Sequence, residues 1–316
     1  MKMDTQKISE IAKADTLVIG PGGTKGFIFL GCINYLNGKK LLDNINRYMG
    51  VSVGSVICLL LNCGYTEMNI LTIAEDINLF DTSSVKSISD MFTSTGIFSL
   101  SNLRTKFEKF IFDKLGKIPT LKELYEITGK EFIAVTVNVS KDIPEAIYLN
   151  YKNYPNLSCS EACIMSCNIP GAFGKHLYEG NLYIDGALGD PYPVHYESTE
   201  KTRVIGLSVI SVHNTSTVSG YMLQCIQTPI INLREKILKG LPSSLSNPQE
   251  NLHLSIKVSM NDNGSMFLTK DEKIQFFIMG YKETKSFLEV SIVKVPEDTV
   301  INVDNIDTDE VTYDDD

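Results

Sequence analysis

Two glycine-rich turns constrain the order of strands and helices in the first 64 residues more than any other feature of the sequence. The β-rich run TLVIG leads into the first turn, PGGTKG at residues 21–26, and an apolar helical stretch follows it. The second turn, GVSVG at residues 50–54, again lies between a predicted strand and an apolar helix. This order is typical of parallel βαβ units, so we expect an α/β fold with a mostly parallel central sheet.

The remaining sequence continues the alternation of strands and helices. Strands are expected in EFIAVTVNVS, EAIYLNY, NLYIDGAL, TRVIGLSVI and HLSIKVSM. Helices are expected over most of residues 66–130, in SCSEACIMSCNIPG up to Pro170, in SGYMLQCIQTPIINLREKILKGL with a break at Pro229, and in DEKIQFFIMGYKETKSFL. A loop is expected around residues 81–96. Because no internal repeat or low-complexity linker separates these elements, one doubly wound domain accounts for them.

Composition argues against several classes of function. The net charge of −9 disfavours nucleic-acid binding and strong electrostatic attraction to anionic lipid. The chain has seven cysteines, an odd number, and they form no CxxC pair. We therefore expect a reducing compartment and no metal site.

The two ends of the chain differ from the part between them. The start, MKMDTQKISEIAKAD, is polar and has no apolar signal region, and no stretch of 18 apolar residues could span a membrane. We therefore expect a cytoplasmic protein that is peripheral to membranes at most. The end, VDNIDTDEVTYDDD, is acidic and is expected to be disordered. The predicted division is a polar leader at 1–14, a domain at 15–296 and an acidic tail at 297–316.

The turn PGGTKG fits neither of the common phosphate-binding motifs. A dinucleotide fingerprint that starts at Gly20 needs glycine where Lys25 stands, and the Gly-Lys-Ser/Thr sequence of a P-loop is absent. What remains is a run of backbone N–H groups from Gly22, Gly23 and Thr24 at the start of a helix. Such donors stabilise a bound anion, or the oxyanion that forms during acyl transfer. A plain glycine-rich turn is the alternative.

The turn GVSVG allows two interpretations of its serine. In the first, Gly50 ends a strand and Ser52 only caps the following helix. In the second, the segment is a nucleophile elbow, in which Gly50 and Gly54 make room for a strained turn that exposes the Ser52 hydroxyl. Such a nucleophile needs a base. Asp185 in LYIDGALGDPYPV is the favoured candidate, because it follows a predicted strand at the sheet edge where α/β proteins build their sites.

Histidine offers an alternative base, as in esterases that use a Ser-His-Asp triad. None of the histidines lies in a recognisable catalytic sequence, and each is expected to be a surface or packing residue. They are His176, His195, His213 and His253.

Three segments together resemble the patatin-like phospholipase family: GPGGTKG, GVSVG and IDGALGDPYPV, in this order. AVTVNVS and LTKDEKIQFFIMGYKETKSFL are similar to a strand and to the last helix of that family, so that the similarity covers roughly residues 15–290. The resemblance implies a three-layer α/β fold with a central, mostly parallel sheet flanked by helices. It also implies a Ser-Asp dyad and a lipid acyl hydrolase of the phospholipase A type that requires no metal or cofactor.

The resemblance gives a role to each residue of the three motifs. Ser52 matches the nucleophile, and Asp185 matches the acid that serves as its base. Gly22, Gly23 and the Thr24 amide match the oxyanion hole. The other matching positions are Lys25, the basic position of the loop, and the glycines Gly26, Gly50, Gly54 and Gly186.

Two positions depart from the family pattern. Pro21 stands where a glycine is usual, and because proline lacks an N–H, the oxyanion donors must come from the residues after it. Asp190 stands where asparagine is frequent. A second carboxylate at this position either lies near Asp185 and raises its pKa, or faces solvent.

The resemblance also implies a phospholipid or another acyl lipid at a membrane surface as the substrate, and it leaves the oligomeric state open. The amphipathic segment 221–241 is a candidate for membrane contact, with a surface helix that packs on the core as the alternative. Two other functions stay open. One is a non-catalytic lipid-binding module on the same fold, and the other is an esterase that uses one of the histidines.

Overall fold

The computed structural model of the chain describes residues 5–76, 100–260 and 268–290. The loop expected around residues 81–96 and the tail expected at 297–316 lie outside the described residues. Strands β1 to β8 span Thr16–Ile19, Arg47–Val51, Glu131–Asn138, Glu145–Leu149, His176–Tyr178, Asn181–Asp185, Val204–His213 and Leu252–Met260. Helices α1 to α10 span Thr5–Ile11, Gly26–Gly38, Val53–Asn62, Glu67–Asp76, Leu100–Leu115, Leu121–Thr128, Cys159–Ser166, Val218–Lys239, Ser243–Ser246 and Lys270–Val290.

The strands form one mixed sheet with a parallel centre. Its order is β5-β6-β3-β2-β1-β7-β8, and β4 pairs with β3 beside this path. β1 is parallel to β2 and β7, β2 is parallel to β3, and β7 is parallel to β8. Antiparallel pairs join β3 to β4 and β6, and β5 to β6. The expected mostly parallel sheet is confirmed, and the antiparallel strands are confined to one side of it.

Alternate residues of the strands enter two separate hydrophobic layers, as strand geometry requires. Leu17 and Ile19 of β1 belong to a large core that also contains buried residues of α2, α3 and α10. Val18, which lies between them, belongs to a second core with Leu245 of α9, and Ile237 of α8 packs against it. Helices therefore cover both faces of the sheet, which is the three-layer arrangement expected.

Two predicted details of the helices are wrong. α8 runs through Pro229 without the expected break. Proline lacks the N–H that would donate to the Cys225 carbonyl, and this loss falls on the exposed side of the helix, where Cys225 lies. α7 ends at Ser166 and not at Pro170. The chain leaves the helix early because the Asn168 side chain donates to a carbonyl of β6 (2.7 Å).

Helix α1 lies within the segment expected as a polar leader. Ile11, its last residue, and Ala14 have no exposed surface, and both belong to the large core. The packed unit therefore includes residues before position 15.

Candidate active site

Strand β3 brings the two expected catalytic residues to the same place. Its residue Val135 pairs with Val51, the last residue of β2. The next residue of β3, Thr136, pairs with Asp185, the last residue of β6. Because β4 occupies the opposite edge of this part of β3, β2 and β6 meet end to end along one edge. Ser52 directly follows Val51, so the strand register by itself sets Ser52 beside Asp185.

Ser52 has a strained backbone, as expected if GVSVG is a nucleophile elbow. Its φ of 56° and ψ of −129° lie in a region that residues with a side chain rarely adopt. Gly50 and Gly54 permit the turn, since a Cβ on Gly54 would lie 2.3 Å from the carbonyl oxygen of Ile19. The Ser52 side chain forms no capping hydrogen bond, so the interpretation as a simple helix cap is wrong. The Ser52 amide instead donates to Oγ of Ser166 (2.9 Å), a support that no sequence motif indicated.

Asp185 is a buried carboxylate with one unbonded oxygen. Its Oδ1 accepts a hydrogen bond from the Ala187 amide (2.9 Å), whereas Oδ2 has no partner among the described residues. Burial raises the pKa of Asp185 to about 6, and the nearby Ser52 hydroxyl and Ala187 amide partly oppose that rise. The Ser52 hydroxyl is thus close to the carboxylate without making a hydrogen bond to Oδ2. A carboxylate in this state can accept a proton near neutral pH.

The glycine-rich loop lines the same cavity. A short 3-10 turn, Gly23–Lys25, leads directly into α2, and its last amide donates to the Gly22 carbonyl (3.0 Å). Within the described residues, the amides of Gly22 and Gly23 have no acceptor. The loop also packs closely on the start of α3, because a Cβ on Gly26 would lie 2.9 Å from a methyl group of Val53.

One cavity of about 280 Å³ connects these groups. Ser52, Asp185 and loop residues 21–25 lie on its wall. Much of the remaining wall is apolar and includes Ile169, Pro170, Ala172 and Leu188 together with Leu223, Ile226, Ile230 and Ile231 of α8. The motif glycines Gly26, Gly50, Gly54 and Gly186 are not part of this wall, and they shape the backbone behind it. A small polar group of residues in an apolar cavity suits an ester that carries a hydrocarbon chain.

The histidines occupy different settings, and one of them lies on the cavity wall. The partners of the others are Glu161 for His176, Asp190 for His195, and Tyr192 with the Leu245 carbonyl for His253. His213, the last residue of β7, lines the cavity. Among the described residues no histidine forms a hydrogen bond with Asp185, which argues against a Ser-His-Asp triad. Because the register of β7 alone carries His213 to the cavity, no local pattern could have singled it out.

Asp190 was expected either to raise the pKa of Asp185 or to face solvent, and it does neither. Its carboxylate is buried and accepts hydrogen bonds from the Tyr148 hydroxyl (2.7 Å) and the Tyr192 amide (3.1 Å). It does not contribute to the raised pKa of Asp185, whose largest cause is burial. Asp190 instead ties the segment after β6 to strand β4.

Comparison with known families tests the resemblance found in the sequence. A family model described as patatin-like phospholipase matches residues 17–197, more than half of the chain. The chain belongs to the patatin-like phospholipase family. The matched segment of this patatin-like protein contains the glycine-rich loop, Ser52 and Asp185, and it ends before β7.

Related proteins and structures resemble this patatin-like protein over much of its length. The probable lipid hydrolase 463L of Invertebrate iridescent virus 6 is 32% identical over 182 residues, which span 57% of this chain and 61% of that relative. VipD from Legionella pneumophila has a TM-score of 0.55 at 16% identity and covers 88% of this chain and 67% of its own. Human GIVD cytosolic phospholipase A2 has a TM-score of 0.51 at 9% identity and covers 90% and 62%. At these identities the two structures show a shared fold.

Proposed function

We propose that this patatin-like protein is a lipid acyl hydrolase of the phospholipase A type, which cleaves fatty-acyl esters of phospholipids or related lipids. Ser52 is the nucleophile, Asp185 is the base, and the amides of Gly22, Gly23 and Thr24 hold the oxyanion. The observation that carries the proposal is a strained serine in a largely apolar cavity, beside a buried carboxylate of which one oxygen has no hydrogen-bond partner among the described residues. Family membership, and the description of a viral relative as a probable lipid hydrolase, support it.

The reaction transfers the acyl group twice. Asp185 accepts the proton of Ser52 while the serine oxygen attacks the ester carbonyl, and the loop amides stabilise the charge on the carbonyl oxygen. Asp185 then returns the proton to the leaving alcohol as the ester C–O bond breaks. In the second transfer Asp185 takes a proton from water while the water oxygen attacks the acyl-enzyme carbonyl. The bond to the Ser52 oxygen then breaks, Asp185 gives the proton to that oxygen, and the fatty acid leaves. The loop amides supply the charge stabilisation, so no metal or cofactor is required.

We further propose that the substrate reaches the cavity from a lipid bilayer. Exposed apolar side chains lie on the elements that border the cavity and form an apolar rim, which consists of Leu188, Val212, Tyr221, Met222 and Ile226. Leu188 and Ile226 also line the cavity, so the rim is continuous with its apolar wall. No helix in the described part of the chain is long and apolar enough to cross a membrane. Since the net charge is −9, contact between the rim and a bilayer depends on apolar burial.

A fluorophosphonate probe tests the activation of Ser52. Such a probe reacts covalently with a serine whose hydroxyl is activated as a nucleophile. We expect the modified peptide from the purified protein to carry the label on Ser52. Labelling and ester hydrolysis should both be lost in Ser52→Ala and in Asp185→Asn.

Ser211→Ala is the matched control, because Ser211 is another buried serine on the wall of the same cavity. This variant is expected to keep the label. No label on the folded wild type, with detergent or vesicles present, would contradict the hydrolase proposal and favour a non-catalytic lipid-binding module. A label that survives in Asp185→Asn but disappears in His213→Ala would favour the histidine-dependent esterase.

A further inference from the structure

Two nitrogen-bearing side chains on the cavity wall lack acceptors. His213 is 6% exposed, and its Nδ1 is buried with no hydrogen-bond partner among the described residues. Lys25 lies on the same wall, and no described residue gives its ammonium group a hydrogen bond or an ion pair. Buried polar groups in folded proteins are normally satisfied, so the unpaired Nδ1 of His213, beside the partly exposed Lys25, points to a ligand that completes this part of the cavity.

The two side chains are close enough to interact. The charge on Lys25, after the larger effect of burial, helps to lower the pKa of His213 to about 4. Burial lowers the pKa of Lys25 to about 8, so the ammonium is also poorly solvated. At neutral pH the pair is therefore a cation beside a neutral imidazole, with no counter-ion of its own.

Among the described residues of the cavity wall, no carboxylate serves as a counter-ion to this pair. Asp185 is the acidic residue on the wall, and it does not contribute to the altered pKa of either Lys25 or His213. Arg234 adds a third nitrogen without an acceptor, its buried Nε, while its terminal nitrogens bond to Glu235 and Ser255. The few polar side chains of this wall thus include these three with nitrogen donors and, among the described residues, one carboxylate.

We infer that His213 and Lys25 form a subsite for the phosphate group of a phospholipid, and that His213 determines specificity for phosphate-bearing over neutral acyl lipids. This inference rests on the proposed hydrolase function. Lysine supplies a point charge and the neutral imidazole supplies an Nδ1–H donor, both of which suit a phosphate oxygen. A neutral acylglycerol leaves these donors buried and unpaired, which is a cost that discriminates between the two lipids.

The histidine of this subsite lies outside the segment that places the chain in its family, whereas Lys25 lies within that segment. The family match ends at residue 197, whereas His213 lies at the end of β7 beyond it. The specificity residue therefore belongs to the part of the fold that the family motifs do not describe.

A pair of lipids that differ only in the phosphate tests the subsite. The rates of acyl release from dioleoyl phosphatidic acid and from dioleoylglycerol are compared in the same neutral detergent micelles. For wild type we expect a lower KM for the phosphate-bearing lipid. His213→Leu should raise that KM about tenfold or more. The KM for dioleoylglycerol should not rise, and it should fall to the extent that the unpaired donor had weakened binding of the neutral lipid. His213→Asn, which keeps a donor near the Nδ1 position, should restore much of the preference.

Two outcomes of this comparison of rates overturn the assignment. One is an equal lipid preference in wild type and His213→Leu. The other is an equal loss on both lipids together with a lower midpoint of thermal unfolding, which would mark His213 as a packing residue. Lys25→Met is expected to act in the same direction as His213→Leu, but Lys25 belongs to the oxyanion loop, so His213 gives the cleaner test.

Binding to the Ser52→Ala protein separates the subsite from the chemistry. Calorimetry with dihexanoyl phosphatidic acid should show binding that weakens about tenfold when His213→Leu is added. If this holds while wild type hydrolyses neither lipid, the hydrolase proposal fails and the phosphate subsite stands. Inorganic phosphate is the second probe. Binding of inorganic phosphate that depends on His213, with no such dependence for the lipid, would reassign the subsite to a free anion and overturn the inference.

Discussion

At the scale of single residues, the burial of Asp185 suits its proposed role as the base and carries a cost in stability. Burial raises its pKa from the ordinary value of 3.8 to about 6. The folded state therefore binds this proton more tightly than the unfolded state does. As the pH rises from about 4 to about 6, the contribution of this group to stability falls, and above that window the full penalty is present. The penalty is on the order of 3 kcal/mol.

Asp185→Asn is therefore expected to abolish hydrolysis and to stabilise the fold at neutral pH. Asparagine keeps an oxygen that can accept from the Ala187 amide, but it has no charge to desolvate and cannot take the Ser52 proton. Near pH 7.5 the midpoint of thermal unfolding should be several degrees higher than in wild type, and the gain should vanish near pH 4. A gain of the same size at both pH values would show that the charge of Asp185 is not its source.

At the scale of elements, α8 contributes to both the cavity and the apolar rim. Leu223, Ile226 and Ile230 line the cavity, whereas Tyr221 and Met222 are 59% and 51% exposed and are not on its wall. The same helix thus provides the apolar wall inside and an apolar surface outside. This arrangement differs from a surface helix that only packs on the core, since such a helix keeps its outer face polar.

The double variant Tyr221→Ser with Met222→Ser tests the role of the rim. We expect cosedimentation with phosphatidylcholine vesicles to fall about tenfold, because each side chain loses the apolar area that it buries in the bilayer. Hydrolysis of a monomeric short-chain ester should be unchanged, while hydrolysis of vesicle lipid should fall with binding. Salt should have little effect on wild-type binding.

The matched control changes two apolar residues of similar exposure that do not line the cavity. Phe112 and Ile143 are 56% and 81% exposed, and serine at both positions should leave vesicle binding intact. Equal losses in the two double variants would show that general hydrophobicity, and not the rim, governs binding. Self-association of wild type that disappears in the rim variant would assign the rim to a second copy of the chain.

At the scale of the whole molecule, the fold extends well beyond the segment that identifies the family. β7 pairs with β1 in the middle of the sheet through Thr16 to Ile19, and it lies after the family match ends at residue 197. Phe276 and Met279 of α10 are buried in the same core as α2, and the thiol of Cys32 in α2 donates to the Gly280 carbonyl of α10. The C-terminal elements therefore complete the core and do not form an appendage.

A fragment of residues 1–197 is thus expected not to fold. It leaves β1 as an unpaired edge and exposes the face of α2 that packs on α10, so circular dichroism and limited proteolysis should report an unfolded or aggregated chain. A chain that ends at residue 296, the predicted domain boundary, is the control and should match the full chain in stability and hydrolysis. A folded, active 1–197 fragment would contradict the role assigned to β7 and α10.

The sequence by itself determined the features that depend on local spacing. The two glycine-rich turns follow predicted strands and precede apolar helices, and that order predicted the parallel units around β1 and β2. The strong β-branched alternation of β3 and the Asp-Gly turn after β6 were likewise visible, because strand pattern and turn chemistry are written in neighbouring residues. Family resemblance then gave Ser52 and Asp185 their expected roles.

Only the tertiary structure decided what depends on register and burial. β2 and β6 both pair with the same edge of β3. This arrangement brings Ser52 to Asp185, although 133 positions separate them in the sequence. Burial determines the pKa of Asp185 and leaves Nδ1 of His213 unpaired on the cavity wall. Solvent accessibility and the packing of distant strands are properties of the assembled chain, so the local sequence gave no sign of them. Pro229 likewise predicts a helix break from its local sequence, but in the folded chain it lies within a continuous helix.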